Sequence, residues 1–219
     1  MLLISLTILL SGGPAWAQSS LEQRLTSWPD WSLPAPLPRP SNRDDLIYPD
    51  WFEGLWQVES IDLDAPGDSP LLHQARFETD RRGRLVGDRS FNATAIGRAL
   101  LGEQLLRVED DPDSANRQIA RLKGDLYLET TVTGRRQDSP TADTFLADEL
   151  VLQILHTPGA PRLSRIETLS RYNRCDDAIC AAQWQGRYAS PGESLRDKAV
   201  AHHHYRLRFT PLPGSAPSI

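Results

Sequence analysis

From Tyr48 onward the chain alternates apolar and polar residues with a period of two, and this pattern constrains the fold more than any other feature. Successive side chains of a β-strand point to opposite faces of a sheet, so the alternation predicts half-buried strands. Turn signals such as Arg82-Gly83 and Gly124-Asp125 separate the runs. The clearest runs are Trp56/Val58/Ser60, Ala75/Phe77/Thr79, Leu126/Leu128/Thr130/Val132, Leu150/Leu152/Ile154 and Tyr205/Leu207/Phe209. We expect about eight to ten antiparallel strands.

Strands of this number, joined by short turns, favour an all-β fold: a single antiparallel meander barrel. Closing the sheet removes exposed edges and leaves room for a filled core or for one small ligand. One segment departs from the pattern, because Ile96, Ala99 and Leu100 recur at helical spacing. Asn92 is the expected N-cap of this segment and Gly102 its expected end. We therefore predict one short helix inserted between the strands.

The first 17 residues have the features of an export signal. An apolar run extends from Leu2 to Leu10, and Ala15-Trp16-Ala17 supplies small residues at the positions that a signal peptidase reads. The run is shorter than the roughly 20 residues that span a bilayer. We expect a signal peptide over residues 1–17 and export of the rest.

Residues 18–46 form a proline-rich arm. Its prolines fix φ and remove backbone donors, so an extended or polyproline II path is expected. The prolines are Pro29, Pro34, Pro36, Pro38 and Pro40. Trp28, Trp31 and Leu33 are too apolar for a free linker. The arm therefore either packs on its own domain or is a docking segment, for a barrel mouth or, through residues 27–46, for a partner protein. The barrel domain is expected over residues 47–211 and a flexible tail over 212–219.

Cys175 and Cys180 are the two cysteines of the chain. In an exported protein they favour a disulfide, either structural or redox-sensitive, with two free thiols as the alternative. Their spacing is not that of a Cys-x-x-Cys redox pair, and with no histidine close in sequence a zinc site is disfavoured.

Other chemistry is poorly supported. The sequence contains no nucleophile elbow, phosphate loop or His-Glu-x-x-His motif, which favours a non-catalytic protein. His202 and His204 would share a strand face, but no third ligand is evident, so we expect no metal. Glu149 and Glu167 lie in otherwise apolar strands; we expect them to point outward, and the alternative is an inward, buried glutamate that would be a site candidate. The formal charge of −5 argues against binding to nucleic acid.

Aromatic and basic residues on both sides of the cysteine loop form the main binding candidate. If the two strands pair as a hairpin, these groups become cross-strand neighbours and line either packing or a pocket. Together with two aromatic residues of the first strands, the predicted ligand wall comprises Trp56, Phe77, Arg171, Tyr172, Trp184, Arg187 and Tyr188.

Four stretches carry a family resemblance: WPDWSLP, DLIYPDWFEGLWQVES, DRSFN and CDDAICAAQWQGRY. Together they resemble an uncharacterised family of exported proteins of cyanobacteria and plastids, over about Trp28 to Phe209. The resemblance implies a thylakoid-lumen or periplasmic location in a photosynthetic host, and it brings no assigned activity. Gly54-x-Trp56 also resembles the first strand of lipocalin-like (calycin) barrels, where Arg206 or Arg208 would pack on Trp56.

These observations lead to two expectations about function. The first is an exported barrel that binds a small hydrophobic or amphipathic ligand such as a pigment, quinone or lipid. The second is a non-catalytic assembly or maintenance factor for photosynthetic complexes, which contacts a thylakoid membrane-complex protein through residues 27–46. No particular cofactor is implied by the sequence.

Overall fold

A computed structural model describes residues 20–190 and 197–213. Two helices, α1 (Ser20–Thr26) and α2 (Arg89–Leu101), accompany ten strands, and short 3₁₀ turns cover Asp50–Phe52 and Gly102–Gln104. The strands are β1 (Gly54–Asp62), β2 (Leu71–Thr79), β3 (Leu85–Gly87), β4 (Leu105–Asp111), β5 (Ser114–Leu122), β6 (Leu126–Thr141), β7 (Thr144–His156), β8 (Arg162–Cys175), β9 (Ala178–Tyr188) and β10 (Ala199–Pro211). The predicted signal peptide lies outside the described residues.

All ten strands form one antiparallel sheet in the order β3-β2-β1-β10-β9-β8-β7-β6-β5-β4. Every pair of strands that follow each other in the chain is hydrogen-bonded except β3 and β4, and the first strand pairs with the last. The sheet is therefore a curled half-barrel with an open seam between β3 and β4. The predicted antiparallel meander of eight to ten strands with one inserted helix is confirmed.

Helix α2 occupies the seam, and it packs against β2 on one side and β4 on the other. Its N-cap is Asp88, whose carboxylate accepts from the Phe91 backbone N–H, so the predicted cap at Asn92 is wrong. The Asn92 side chain instead donates to the Arg76 carbonyl and accepts from the Arg76 N–H. The Arg76 N–H thereby gains an acceptor beyond the three residues of β3, while the Arg76 carbonyl also accepts from the Asp88 N–H. The predicted end at Gly102 is confirmed.

The inner face of the curled sheet holds the larger core cluster. Phe52, in the 3₁₀ turn, is fully buried, with ring centroids 5.0 Å from Phe77 of β2 and 5.9 Å from Phe145 of β7. Because β2 and β7 are five strands apart in the sheet, contacts of both with one ring identify this face as concave.

The N-terminal arm covers both faces of the sheet. Leu21, Trp31 and Leu33 are buried on the outer face, whereas Leu46, at the end of the arm, is buried on the inner face. The arm passes from one face of the sheet to the other along the second half of β6, which has a free edge because β5 pairs with β6 only up to Thr131. At this edge the arm supplies acceptors. The carbonyl of Pro38 accepts from the Arg135 N–H of β6, and the carbonyl of Asn42 accepts from the Ala115 N–H of β5.

A close approach of the arm requires glycine in β6. A Cβ added at Gly134 would lie 2.8 Å from the Cβ of Leu37, a distance that real side chains do not tolerate. Of the two possibilities for the arm, its apolar residues therefore take the first: they pack on the domain of the same chain.

Candidate functional site

The inner face is filled by aromatic side chains of the chain itself. Phe52 lies among Tyr48, Phe77, Phe145, Tyr172 and Phe209, with centroid distances between 4.9 and 6.4 Å. The Trp56 indole N–H donates to the Phe52 carbonyl at 2.7 Å. Three residues of the predicted ligand wall, Trp56, Phe77 and Tyr172, thus take part in this packed core.

The space that remains on the inner face is small and polar. A cavity of about 180 Å³ is lined by Asp45, Leu46, Tyr48, Gly87, Arg89, Asn92, Gln118 and Glu149. Burial raises the pKa of the Tyr48 hydroxyl well above its ordinary range, and the Glu149 carboxylate accepts from Arg135 at 2.6 Å. Sites for drug-sized ligands usually measure about 300–1,000 Å³ and are mostly apolar. This cavity has room for no pigment or quinone.

The predicted ligand wall is divided between the two faces of the sheet. Trp184 and Tyr188 belong to the outer cluster, and Arg171 faces outward because it alternates with Tyr172. Arg187 is exposed and faces away from Tyr188. Trp184 stacks on His204 at 4.9 Å, and His204 also lies 5.7 Å from Trp28 of the arm. The structure therefore does not bring the seven residues into one pocket.

The predicted disulfide is confirmed, since Cys175 and Cys180 are bonded across the β8–β9 hairpin. Arg208 approaches Cys180 and not Trp56. Its strand pairs with β1 so that Arg208 lies opposite Glu59, on the face away from Trp56 and Val58. The packing of Arg206 or Arg208 on Trp56, which a lipocalin-like barrel would have, is therefore not formed.

A larger cleft lies at the seam, between α2, β2 and β4. It measures about 590 Å³ and is lined by Gln74, Arg76, Asp88, Ser90, Phe91, Thr94, Ala95, Arg98 and Val108. The helix presents residues 91, 94, 95 and 98 to this cleft because these positions share one helical face. Its wall combines apolar carbon with hydroxyl, amide and guanidinium groups.

The two arginines of the cleft differ in their surroundings. Arg76 forms an ion pair with Asp88 and lies 4.5 Å above the Phe91 ring. Arg98 is exposed and forms no ion pair with any described residue. An exposed cation at the edge of an amphipathic cleft is available to an anionic group of a ligand.

A second cluster lies on the outer face, beneath α1. The Glu167 carboxylate is fully buried and receives two hydrogen bonds of 2.8 Å from Arg24 of α1. The Tyr188 hydroxyl also donates to Glu167. The prediction that Glu167 points outward into solvent is wrong, because a cation 143 residues away in sequence covers it.

Asp148 adjoins this cluster. It pairs with Leu169 across the β7–β8 ladder, which places it diagonally beside Glu167 on the same face. It is fully buried, yet neither of its carboxyl oxygens is hydrogen-bonded to a described residue. Burial raises the pKa of the Asp148 carboxyl well above its ordinary range, and the charge of Glu167 raises it further. Burial also raises the pKa of Tyr188, together with its bond to Glu167.

The raised pKa of Asp148 makes stability depend on pH. The folded chain binds this proton more tightly than the unfolded chain, so stability falls as pH rises from the ordinary carboxyl pKa to the raised one. Over this range the free energy of unfolding falls by up to about 1.4 kcal/mol per pH unit.

Asp148→Asn carries no charge, so we expect the variant to lack this pH dependence of the free energy of unfolding. Above neutral pH it should unfold at a higher denaturant concentration than the wild type. Denaturation curves across a pH series measure it, with Asp68→Asn in an exposed loop as the control. Parallel pH profiles for wild type and Asp148→Asn would contradict the assignment.

The residues of these two sites that sequence reasoning missed include Arg24, Asp148, Arg76 and Arg98. Asp148 carries a signal, since it interrupts the apolar run that precedes Leu150. The sequence around the three arginines gives no such signal, because the groups that surround them in the structure come from other helices and strands. In residues 20–190 and 197–213, no three His, Cys, Asp or Glu side chains are close enough to hold a metal, and no helix has the length and apolarity needed to cross a bilayer.

Comparison with known proteins identifies a family. The model of a domain of unknown function, DUF6816, matches residues 40–213, from the middle of the arm to just past β10. A comparison with curated proteins finds no match. The predicted membership of an uncharacterised family over most of the chain is confirmed. The cyanobacterial or plastid origin of that family, its lumenal location and the resemblance to lipocalin-like barrels stay predictions. The chain belongs to the DUF6816 family.

Proposed function

We propose that the protein binds a small amphipathic molecule with an acidic head group in the cleft at the seam. The observation that carries this proposal is the cleft itself, about 590 Å³ between α2 and the sheet. At its edge lies Arg98, which is exposed and has no ion-pair partner within residues 20–190 and 197–213. A carboxylic acid with a hydrocarbon or ring body matches both parts of this wall.

Size and composition support this choice of pocket over the inner face. Phe91, Ala95 and Val108 offer apolar surface, while Ser90, Thr94 and Gln74 offer hydrogen-bonding groups. Ligand sites are typically built from apolar walls and a few placed polar groups. The inner face, where a barrel would hold its ligand, is occupied by Phe52 and its neighbours. The proposed ligand class keeps the expected pigment or lipid but moves it from the barrel interior to the seam.

Filling the cleft provides the test. Ala95→Trp is expected to weaken binding of a fluorescent fatty acid by about tenfold or more, because the indole would occupy the apolar wall. Ala99→Trp is the matched control, since Ala99 is exposed on the same helix and does not line the cleft. The methyl ester of the probe should bind more weakly than the acid because it lacks the charge that Arg98 would attract.

Two results would overturn this proposal. One is the absence of saturable binding together with purified protein that releases no organic molecule on extraction. The other is equal affinity of wild type and Ala95→Trp for the probe.

The second candidate function is a contact with a partner protein through the arm. Along residues 31–38 the apolar side chains turn inward, whereas Pro34, Pro36 and Pro38 are exposed. Exposed proline rings can dock in aromatic-lined grooves of a partner protein. The exposed ridge, and not the buried tryptophans, would make this contact. Under this second proposal the protein is exported to a thylakoid lumen or periplasm, where it assists the assembly of photosynthetic complexes through this contact.

A further inference from the structure

The disulfide between Cys175 and Cys180 closes the end of the β8–β9 hairpin. β8 and β9 pair from Arg165 opposite Tyr188 to Cys175 opposite Ala178, so the hydrogen bonds of the sheet already hold the two cysteines close together. A cross-link that closes so short a loop removes less freedom from the unfolded chain than one that closes a long loop. The hairpin therefore does not depend on the bond for its shape, and we expect the sheet to stay folded when the bond is reduced.

The two cysteines differ in how a molecule from solution approaches them, although both are partly exposed. Cys175 ends β8 at the turn, and β7 pairs with β8 only up to Asn173, so Cys175 extends beyond β7. Cys180 lies between two strands, opposite Asn173 of β8 and Arg208 of β10. An external thiol therefore reaches Cys175, from the end of the hairpin, more readily than it reaches Cys180.

A cation lies at the sulfur of Cys180. The Arg208 guanidinium donates to Cys180 Sγ at 3.7 Å. A groove of about 540 Å³ borders both residues, and Arg206 and Glu59 also line it. Glu59 lies opposite Arg208 on β1, yet within the part of the chain that the structure describes Arg208 forms no ion pair. Its guanidinium therefore remains available to stabilise negative charge on this sulfur.

The surroundings of Cys175 are acidic. Asp176 and Asp177 follow it directly in the turn, and both are exposed. Arg174 precedes it but is paired with Asp143, with 3.4 Å between Arg174 Nη1 and Asp143 Oδ1. Because a guanidinium favours a neighbouring thiolate and carboxylates disfavour one, the sulfur of Cys180 is the better leaving group of the two. A thiolate that attacks the disulfide should therefore become joined to Cys175.

We propose that the Cys175–Cys180 bond is a thiol–disulfide exchange site, which a dithiol reductant opens in the folded protein. One thiolate of the reductant attacks Cys175 Sγ and forms a mixed disulfide, while the Cys175–Cys180 bond breaks and its electron pair passes to Cys180 Sγ beside Arg208. The second thiolate of the reductant then attacks the reductant's own sulfur in the mixed disulfide and releases the Cys175 thiolate. The two cysteines gain two electrons and take up the two protons that the reductant's thiols gave up, and the reductant leaves as a disulfide.

Reduction of the purified protein by dithiothreitol, followed by maleimide labelling and mass spectrometry, tests the proposal. The wild type is expected to lose the disulfide without denaturant and to keep the far-ultraviolet circular dichroism of the oxidised form. Arg208→Gln should be reduced about threefold or more slowly, because the Cys180 thiolate loses its cation. Arg208→Lys keeps a cation at this position and should recover most of the rate. Arg206→Gln is the matched control, since Arg206 lines the same groove but lies opposite Ala182 and not Cys180.

Excess glutathione followed by an acid quench identifies the sulfur that is attacked. Peptide mapping should find glutathione on Cys175 and a free thiol on Cys180. Four results would overturn the inference: a bond that dithiothreitol reduces only in urea, equal rates for the wild type and Arg208→Gln, an equal loss of rate in Arg206→Gln, and glutathione mainly on Cys180.

Discussion

Glu167→Ala is expected to lower the free energy of unfolding by about 3–5 kcal/mol, because removal of one partner leaves a buried charge uncompensated. Arg24 would lose both of its carboxylate bonds, and the Tyr188 hydroxyl would lose its acceptor. Urea denaturation followed by tryptophan fluorescence measures the loss. The largest change should occur where α1 packs on the outer face, which hydrogen exchange would detect as early opening of residues 20–26.

Two control variants separate charge burial from general damage. Asp143→Ala breaks an ion pair with Arg174 in which both side chains are more than half exposed, so a loss below about 1 kcal/mol is expected. The double variant Arg24→Met/Glu167→Leu removes both charges and should recover part of the stability, since apolar replacements of a buried pair are often tolerated. If Glu167→Ala lost no more stability than Asp143→Ala, the cluster would not hold α1.

Trp31→Ala is expected to cost about 3–5 kcal/mol, the usual loss for truncating a buried tryptophan. Trp31 is fully buried, its indole N–H donates to the Arg24 carbonyl at 3.0 Å, and its carbonyl accepts from the Ala199 N–H. Gly186 leaves room for the ring, since a Cβ there would lie 3.2 Å from it. Thermal and urea unfolding of the variant measure the effect.

The matched control lies in the same arm. Pro38→Ala changes an exposed side chain and keeps the carbonyl that accepts from Arg135, so it should cost below about 1 kcal/mol, mainly through added freedom of the unfolded chain. A large loss for Trp31→Ala with a small one for Pro38→Ala indicates that the buried side of the arm is structural. A Trp31→Ala variant as stable as the wild type would instead show that the burial of Trp31 does not hold the arm on the sheet.

The sheet was predictable because a two-residue period is a local property of the sequence. Runs such as Tyr205/Leu207/Phe209 specify one buried face whatever lies beyond the strand. Prolines likewise constrain residues 27–46 locally, since they exclude a helix or a central strand there, whereas α1 lies before them. The seam was not predictable, since the lack of pairing between β3 and β4 depends on how far the sheet curls.

The site residues could not be predicted from the sequence, because they are defined by contacts between residues that are far apart in the chain. Asp88 and Asn92 are both good caps, and the edge of β2 decides between them by engaging the Asn92 side chain. From its strand alone Glu167 is expected to be solvent-exposed, and only the position of Arg24 in the fold shows that it is buried. The predicted ligand wall failed to assemble for a related reason: alternation along β8 and β9 sends Tyr172 and Tyr188 to opposite faces.

The route of the arm has a consequence for how the chain assembles. Its anchors, Trp31 and Leu46, lie on opposite sides of one sheet, and the residues between them pair with the edge of β6. The surfaces that these anchors contact are built by strands that follow the arm in the chain, among them β6, β9 and β10. The part of the domain that is synthesised first therefore docks only after later strands have formed, so the order of assembly reverses the order of synthesis.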